Sequence, residues 1–596
     1  MPPIFLADSD LGKTWKSTCE ALAAKLSFDE YVTVIRSLDV DHVFWRSLFI
    51  GGSENRGVAL VLETRLGALS GRLSPYFKTI ISWHASARAA AGTQQYIDRN
   101  QIHNVCVVVA DTPESLVVGA ERLAAIIFYG PSQDLTGQWG DNVAMLLRAL
   151  IKQAPQWLAE GGVVVVGENN RCAFRHRPAQ KAGSGHNGGI ALPGLGHHLK
   201  KLGCLGLYVG SSPMTSSHTL TPDLVLRDVV TGPTLFPKNI LSLIKERVLN
   251  TRLARLLWPS FLFVISGCPR RTFLQDIFEQ SELGRQSGWD GKGRVIVKRI
   301  LAGNLGTTVM VAGPADRGAR DVIIRLPSQP SGCRSCRVNA QALRKLAQSP
   351  LSGNVPRLLG EGVVQGQEFT VESRCPGFEA GYRARGLDGM LHQACDAVSV
   401  LHRQTTRRVL VTDAVFNEIV APLIQDLVDY CPQDVGQRLN RFMEVLRTSM
   451  LGQAVSLGYI HGDFKLGNFL FDRSGKLTAL IDWDGFSENG FQMFDYLTLI
   501  AYKMSYENNI NLADIYLQYV LPWKLPPAYT QLVDDQIKTL MVDEESFLFV
   551  RIVFWFSLNF YRFDGLYKYH ATWQLQFLLP VLTEFEKIHQ SGWRRS

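Results

Sequence analysis

Residues 459–472, YIHGDFKLGNFLFD, crowd a His, an Asp, a Lys and an Asn between two apolar runs. A tight turn needs Gly and Asp. It does not need His461 two residues before Asp463, or Asn468 five residues after it. The next stretch, RSGKLTALIDWD, reads as a hairpin whose second strand ends on Asp482 and Asp484. Asp and Asn oxygens are hard ligands suited to Mg²⁺, which keeps several waters and takes few protein groups. A carboxylate to orient a hydroxyl, oxygen ligands for Mg²⁺, a cation on phosphates and a lobe to cover them are the parts phosphoryl transfer needs. HGD alone is common; joined to an Asn at +5 and a strand ending in DWD it is a much rarer pattern.

Two kinds of structure must hold these groups. Upstream, RVIVKRILAGNLGTTVMVA and RDVIIRLP read as antiparallel strands with Gly-rich turns, VNAQALRKLAQ as a helix and FTVESR as another strand. From about 387 onward the chain is mostly helical, apart from 459–484. The expected architecture is an α+β two-lobed unit over 293–596, with a β-rich lobe at 293–376 and a helical lobe at 377–596. Several of its residues have ordinary readings too. Arg325 fits the surface of an edge strand, AGNLGTT fits a hairpin turn, Lys465 fits a solvated side chain and Asp484 a structural acid.

HGDFKLGN followed by LIDWD resembles the aminoglycoside phosphotransferase and choline kinase group, a branch of the protein-kinase-like fold. The resemblance runs over roughly 293–500, with the tail to 596 as a lid. It implies Asp463 as catalytic base, with His461 bracing the loop and Lys465 meeting a phosphate or the acceptor. It implies Asn468 and Asp482 as Mg²⁺ ligands, with Asp484 an auxiliary metal residue or a support for one. Arg325 would sit on the phosphates of ATP, or of GTP, gripping them with a permanent charge. Backbone amides from Gly303 through Gly306 to Thr307 would cover those phosphates. FTVESRCPG (369–377) would be the hinge to the helical lobe. One position departs from the pattern: the helix after Arg325 should carry a Glu, and Asn339 stands there. Glu372 or another acid is the substitute that the sequence leaves open.

The first half differs in texture. GVALVL (57–62), KTIIS (78–82), VCVVVA (105–110), LAAIIFY (123–129) and VVVVG (163–167) are short apolar runs, some separated by helix-like stretches. That alternation predicts a doubly wound α/β domain with a parallel sheet over 1–265, joined to the second unit by 266–292. The order of strand, Gly-containing turn, helix and second strand resembles the opening of a class I methyltransferase. VCVVVADTPES is similar to the strand that places Asp111 near adenine, and WLAEGGVVVVGENNR to the step into a later strand. The resemblance implies S-adenosylmethionine as cofactor if the site is active. Its turn, ETRLG, keeps only Gly67, with Thr64 and Arg65 intruding, and its second strand ends on Trp83 and His84 in place of an acid for the ribose. A degenerate, non-catalytic domain is the expectation. Glu168, Asn170 and Arg171 fit either a pocket lining or a strand-end network. Such a fusion resembles proteins from bacterial surface-polysaccharide gene clusters.

The bulk numbers agree with this division. A chain of 596 residues exceeds one hydrophobic core. A net charge of +8 suits phosphate-bearing ligands or an anionic membrane face, and with no basic run interleaved with aromatics it does not call for nucleic acid. Cys333 and Cys336 form a lone CxxC without a second pair, so free thiols are expected rather than zinc. MPPIFLADSDLGKTW lacks the build of a signal peptide, and no apolar run is long enough to span a bilayer. The expected protein is cytoplasmic and phosphorylates a small molecule, a sugar or a glycan end, with membrane contact only peripheral and an oligomeric state that sequence does not set. The alternatives are a bifunctional enzyme that methylates and phosphorylates a polysaccharide terminus, and a pseudokinase scaffold.

Overall fold

The computed structural model describes residues 57–63, 67–74, 77–110, 122–129, parts of 146–169, 204–210, 218–220, 260–266, 273–280, 295–302, 307–314, 321–327, 330–364, 367–381, 384, 386–560 and 574–592. Gly303, Gly306, Asp111, Thr64, Arg65, Asn170, Arg171 and the side chain of Glu168 lie outside these residues.

Five strands of the first half are parallel: β1 (Val58–Leu62), β2 (Thr79–His84), β3 (Val105–Val109), β4 (Leu123–Tyr129) and β5 (Leu158–Asn169). Three more, β6 (Cys204–Gly210), β7 (His218–Leu220) and β8 (Ser260–Ser266), extend one sheet of order β3-β2-β1-β4-β5-β8-β6-β7. The order reverses between β1 and β4, which makes the sheet doubly wound. β8 runs antiparallel to both β5 and β6. α1 (Ala68–Leu73) and α2 (Ala87–Arg99) follow β1 and β2. One detail differs from the sequence reading: β5 begins at Leu158, five residues before VVVVG. Leu158 pairs with Leu123 while Val163 already pairs with Ala125, so the AEGG segment read as the step into the strand bulges within it.

After α3 (Phe273–Gln280) the second sheet begins. β9 (Val295–Ala302), β10 (Thr307–Pro314), β11 (Val322–Pro327), β12 (Leu358–Val364) and β13 (Gln367–Ser373) form an antiparallel sheet of order β12-β13-β11-β10-β9. α4 runs Pro330–Leu346, eight residues longer at its start than VNAQALRKLAQ suggested. Pro at the first helical position costs no hydrogen bond and pre-sets φ, so the SGCRSCR segment is helical and the CxxC lies on it. A hydrophobic core joins Val61, Ile127 and Val165 of the first sheet, Leu274, Ile277 and Phe278 of α3, and Met310, Ile324 and Val371 of the second sheet.

β14 (Phe378–Glu379) leads into the helical part, whose main helices are α5 (Leu387–Thr405), α6 (Gln433–Met450), α7 (Met493–Asn508) and α8 (Glu544–Phe560). Their apolar faces share one large core with Leu391, Phe442, Leu497 and Phe554. Two small sheets interrupt the helices. β15 (Arg407–Leu410), β16 (Ala454–Ile460) and β19 (Ser487–Phe491) form one; β14, β17 (Phe469–Phe471) and β18 (Leu477–Leu480) form the other. The loops after β16 and after β18 carry HGD and DWD. Among the described residues no helix is long and apolar enough to cross a membrane; the largely apolar stretch 550–560 lies in α8 and Ser260–Ser266 form β8.

Candidate active site

The loop 461–468 leaves β16 and returns through a short 3-10 turn at Leu466–Asn468 into β17. His461 is fully buried and stacks on Trp483 with ring centroids 4.4 Å apart. Its Nε2 lies 3.0 Å from the carbonyl of Ile481, so the imidazole ties this loop to the strand end before Asp482. Asn468 donates Nδ2 to the Asp463 carbonyl at 2.7 Å and to its carboxylate at 3.0 Å. With the nitrogen so used, the amide oxygen of Asn468 is the atom left for a cation. Lys465 Nζ sits 2.7 Å from Asp463 Oδ2 and over the Tyr502 ring at 5.5 Å. Burial works against the Lys465 charge, but Asp463, Tyr502 and Asp482 together more than offset it and the ammonium stays above its ordinary pKa.

The loop is fixed from below by a residue that sequence reasoning missed. Asp495, fully buried at the start of α7, accepts the backbone N–H of His461 and of Gly462, each at 2.9 Å. Its carboxylate also lies 3.1 Å from His402 Nε2, and His402 Nδ1 lies 3.0 Å from the Tyr496 hydroxyl. A signal was present: a lone acid in the apolar run MFDYLTLIA is seldom buried without a polar task.

From the β-lobe, Arg325 of β11 reaches into the same site. It is 5% exposed; Nη1 donates to Asp482 Oδ1 at 3.0 Å, and Nη2 lies 3.4 Å from Glu372 Oε1. Burial disfavours its charge, yet Glu372, Asp482 and Asp484 hold it protonated beyond the ordinary arginine range. Its Nε is buried and has no acceptor among the described residues, so the guanidinium keeps a donor in reserve. Asn339, at the position where an acid was expected, donates to Glu372 Oε2 at 2.9 Å and accepts from the Trp483 N–H at 3.1 Å. Thr307 turns its hydroxyl toward the Gly332 carbonyl and Cys336, both on α4. Cys333 and Cys336 are free thiols.

Asp482 takes a positive φ of 65°, a strained setting for a non-glycine residue. Its burial pushes the carboxyl pKa up, but Arg325, His461 and Lys465 together outweigh that and keep it below the ordinary range. Asp484, which accepts from Ser335 Oγ at 3.0 Å, is pushed up to about 7 by burial first and by the Asp482 charge second. A carboxyl with a folded-state pKa above the unfolded value of 3.8 stabilises the fold while protonated. That contribution is complete below about pH 4 and is lost as pH rises to about 7. In chelator-treated protein the melting temperature should therefore fall over this window more steeply for the natural sequence than for Asp484→Asn. Equal slopes would remove Asp484 as the source.

The site thus brings together Asp463, Asn468, Asp482, Asp484, His461, Lys465, Arg325 and Glu372, drawn from two lobes. Residues 296–532 match the family described as Phosphotransferase enzyme family, APH. That match falls within the C-terminal half and takes in parts of both lobes. No curated protein matches the chain. Among solved structures, one similar chain is aminoglycoside phosphotransferase APH(4)-Ia in a ternary complex with ADP and hygromycin B, 14% identical, covering 52% of this chain and 97% of that one at a TM-score of 0.33. Another is ADP-bound aminoglycoside phosphotransferase APH(2'')-Ib, 14% identical over 52% and 96% at 0.33. The N-methyltransferase NodS from Bradyrhizobium japonicum WM9 is also similar, 14% identical over 40% and 96% at 0.22.

In the first half, the two strand-end residues of β2 turn inward. Trp83 is fully buried and donates Nε1 to the Ala110 carbonyl at 2.7 Å. His84 is fully buried, its Nε2 3.3 Å from Ser82 Oγ, which in turn bonds Ser70 Oγ at 3.0 Å. Glu63, directly after β1, accepts the Ser70 N–H at 2.8 Å. A side chain at Gly67 would meet Tyr96 and Thr93 of α2 at 3.1–3.2 Å.

Proposed function

We propose that the C-terminal half transfers the γ-phosphate of ATP to a hydroxyl of a small molecule, a sugar or a glycan end. The observation that carries this reading is the convergence of Asp463, Asn468 and Asp482 from the helical lobe with Arg325 from the β-lobe. Asp463 would accept the hydrogen bond of the acceptor hydroxyl and aim its oxygen. Arg325, with Nε in reserve, would grip phosphate oxygens, and Lys465 would stand beside the transferring group. The donor set suits Mg²⁺: an amide oxygen on Asn468 and two neighbouring carboxylates, Asp482 and Asp484, whose mutual repulsion a cation would relieve. Among the described residues no three His, Cys, Asp or Glu groups make a metal cage; a cation shared with phosphates does not need one. When bound, Mg²⁺ would supply charge neutralisation on the nucleotide phosphates. The chain's own part is positioning and electrostatics.

A scaffold without transfer activity rested on the missing acid at Asn339 and on the eroded first domain. Glu372 beside Arg325 provides an acid there, which favours the enzyme. The first half would serve as a methyltransferase-like accessory domain, with Trp83 and His84 committed to its interior rather than to a ribose.

Thermal unfolding with Mg-ATP, Mg-GTP and S-adenosylmethionine tests this directly. A ligand at 100 times its Kd stabilises its domain by about 2.7 kcal/mol. The expected result is a shift with Mg-ATP that disappears in Asp482→Ala, and none with S-adenosylmethionine. A Mg-ATP shift that persists in Asp482→Ala would place the nucleotide elsewhere, and a shift with S-adenosylmethionine would restore a cofactor site to the first half.

A further inference from the structure

We infer that strand β13, not helix α4, supplies the acid partner of Arg325, and that Asn339 is the positioning residue that locks this acid, Glu372, in place. The inference rests on the phosphotransferase reading of the site and names how its phosphate cation is held.

A guanidinium 5% exposed needs a carboxylate near it. Helix α4, PSGCRSCRVNAQALRKL, contains no Asp or Glu along its whole length. The acid comes from the neighbouring strand instead. β11 and β13 are antiparallel, with Arg325 opposite Thr370 and Ile323 opposite Glu372, so Arg325 and Glu372 share one face as a diagonal pair. Asp482 is the nearer carboxylate at 3.0 Å, but its side chain is 36% exposed, and in the proposed reaction its oxygens have another use. Glu372 has no such second task and is 6% exposed at its side chain, so it is the partner that can stay with Arg325 when a nucleotide enters.

A buried carboxylate on one side of a cation needs a donor on the other, or it will turn away. Asn339, 1% exposed, provides it. The two oxygens of Glu372 are divided, Oε1 toward Arg325 and Oε2 toward Asn339 Nδ2. The same Asn339 accepts the N–H of Trp483, the residue between Asp482 and Asp484. The amide donates through Nδ2 to the carboxylate and accepts through Oδ1 from the backbone N–H, so both partners are met by one side chain. A carboxylate at 339 would repel Glu372, and an aliphatic side chain would serve neither partner. One side chain on α4 thus fixes the distance between the phosphate cation of one lobe and the metal-binding loop of the other.

The test compares four proteins: the natural sequence, Glu372→Gln, Asn339→Leu, and the exchange Asn339→Asp with Glu372→Gln. The exchange keeps net charge and size and places the carboxylate on the helix. Binding is measured for ATP and for adenosine, which lacks phosphates. Each single variant should weaken ATP at least tenfold and leave adenosine within twofold, and the exchange should return ATP to within threefold of the natural protein. A purely structural role would weaken adenosine in parallel, and that result, unchanged ATP affinity in the singles, or no recovery in the exchange would each overturn the inference. Melting temperatures of the same four proteins separate this from failure of the phosphotransferase reading. If the natural protein binds neither ligand, that reading falls, while loss of melting temperature in the singles and its recovery in the exchange would still support the Arg325–Glu372–Asn339 pairing. Absence of recovery there would overturn it as well.

Discussion

Asp463→Asn should lower phosphoryl transfer by about 10²–10⁴-fold, the usual range for removing a positioned acid–base group. Nucleotide affinity should change little, because of the groups proposed for the phosphates and their cation Asp463 touches only Lys465 and Asn468, and Asn468 keeps its bond to the Asp463 carbonyl. The substitution keeps the size of the side chain and leaves the backbone carbonyl that Asn468 holds. What it removes is the carboxylate whose Oδ2 lies 3.0 Å from Asn468 Nδ2 and 2.7 Å from Lys465 Nζ. With Oδ2 taken by both donors, Oδ1 is the oxygen open to a hydroxyl, and an amide in its place lacks the charge and basicity to draw that hydrogen. The measurement is single-turnover consumption of ATP beside a nucleotide titration. Retention of transfer within tenfold would mean that acceptor orientation is done elsewhere. A parallel loss of nucleotide affinity would mean that Asp463 belongs to the nucleotide site.

The residues of this prediction were legible because they are neighbours in sequence. His461, Asp463, Lys465 and Asn468 lie within eight residues, and the hairpin that follows fixes where Asp482 and Asp484 emerge. The groups that hold them were hidden, since a contact across the fold leaves no spacing to read. Asp495 meets His461 across 34 residues, Asn339 meets Glu372 across 33 and Arg325 meets Asp482 across 157. Asn339 illustrates the difficulty. In sequence it looked like a lost charge; in the fold the charge sits two strand positions from Arg325 and Asn339 is the hydrogen-bonding partner that suits it. The first half shows the same division. Apolar strands alternating with helices predicted a parallel sheet, and β1 to β5 are parallel. The antiparallel insertion of β8 between β5 and β6 came from pairings that periodicity does not encode. At the strand ends, Trp83 and His84 were recognisable as the wrong chemistry for a ribose, but their commitment to Ala110 and Ser82 is a matter of packing.

Gly462→Ala should be the most damaging single-atom change in the site. Gly462 has φ of +82°, where an L side chain costs about 1–2 kcal/mol. More serious is contact: a Cβ there would lie 1.9 Å from the carbonyl oxygen of Gly485, and Gly485 in turn packs on the Gly462 backbone. The HGD loop and the segment after DWD are back to back at two glycines, so neither backbone can yield without moving the other. Relieving the clash separates Asp463 from Asp482 and Asp484, and pulls Gly462 N from Asp495. Overpacking of this kind adds about 1–3 kcal/mol or more to the conformational cost. Displacement of about 1 Å at the reacting groups costs about 10²-fold in rate. Transfer should therefore be lost in protein that still folds at low temperature, with a clearly lowered melting temperature. Gly452→Ala is the matched control: its φ is also +82°, yet a Cβ there meets nothing within 4 Å, so it should show the conformational cost alone and keep its activity. If the two variants melted and transferred alike, the close approach of the two loops would not be what positions Asp463 against Asp482.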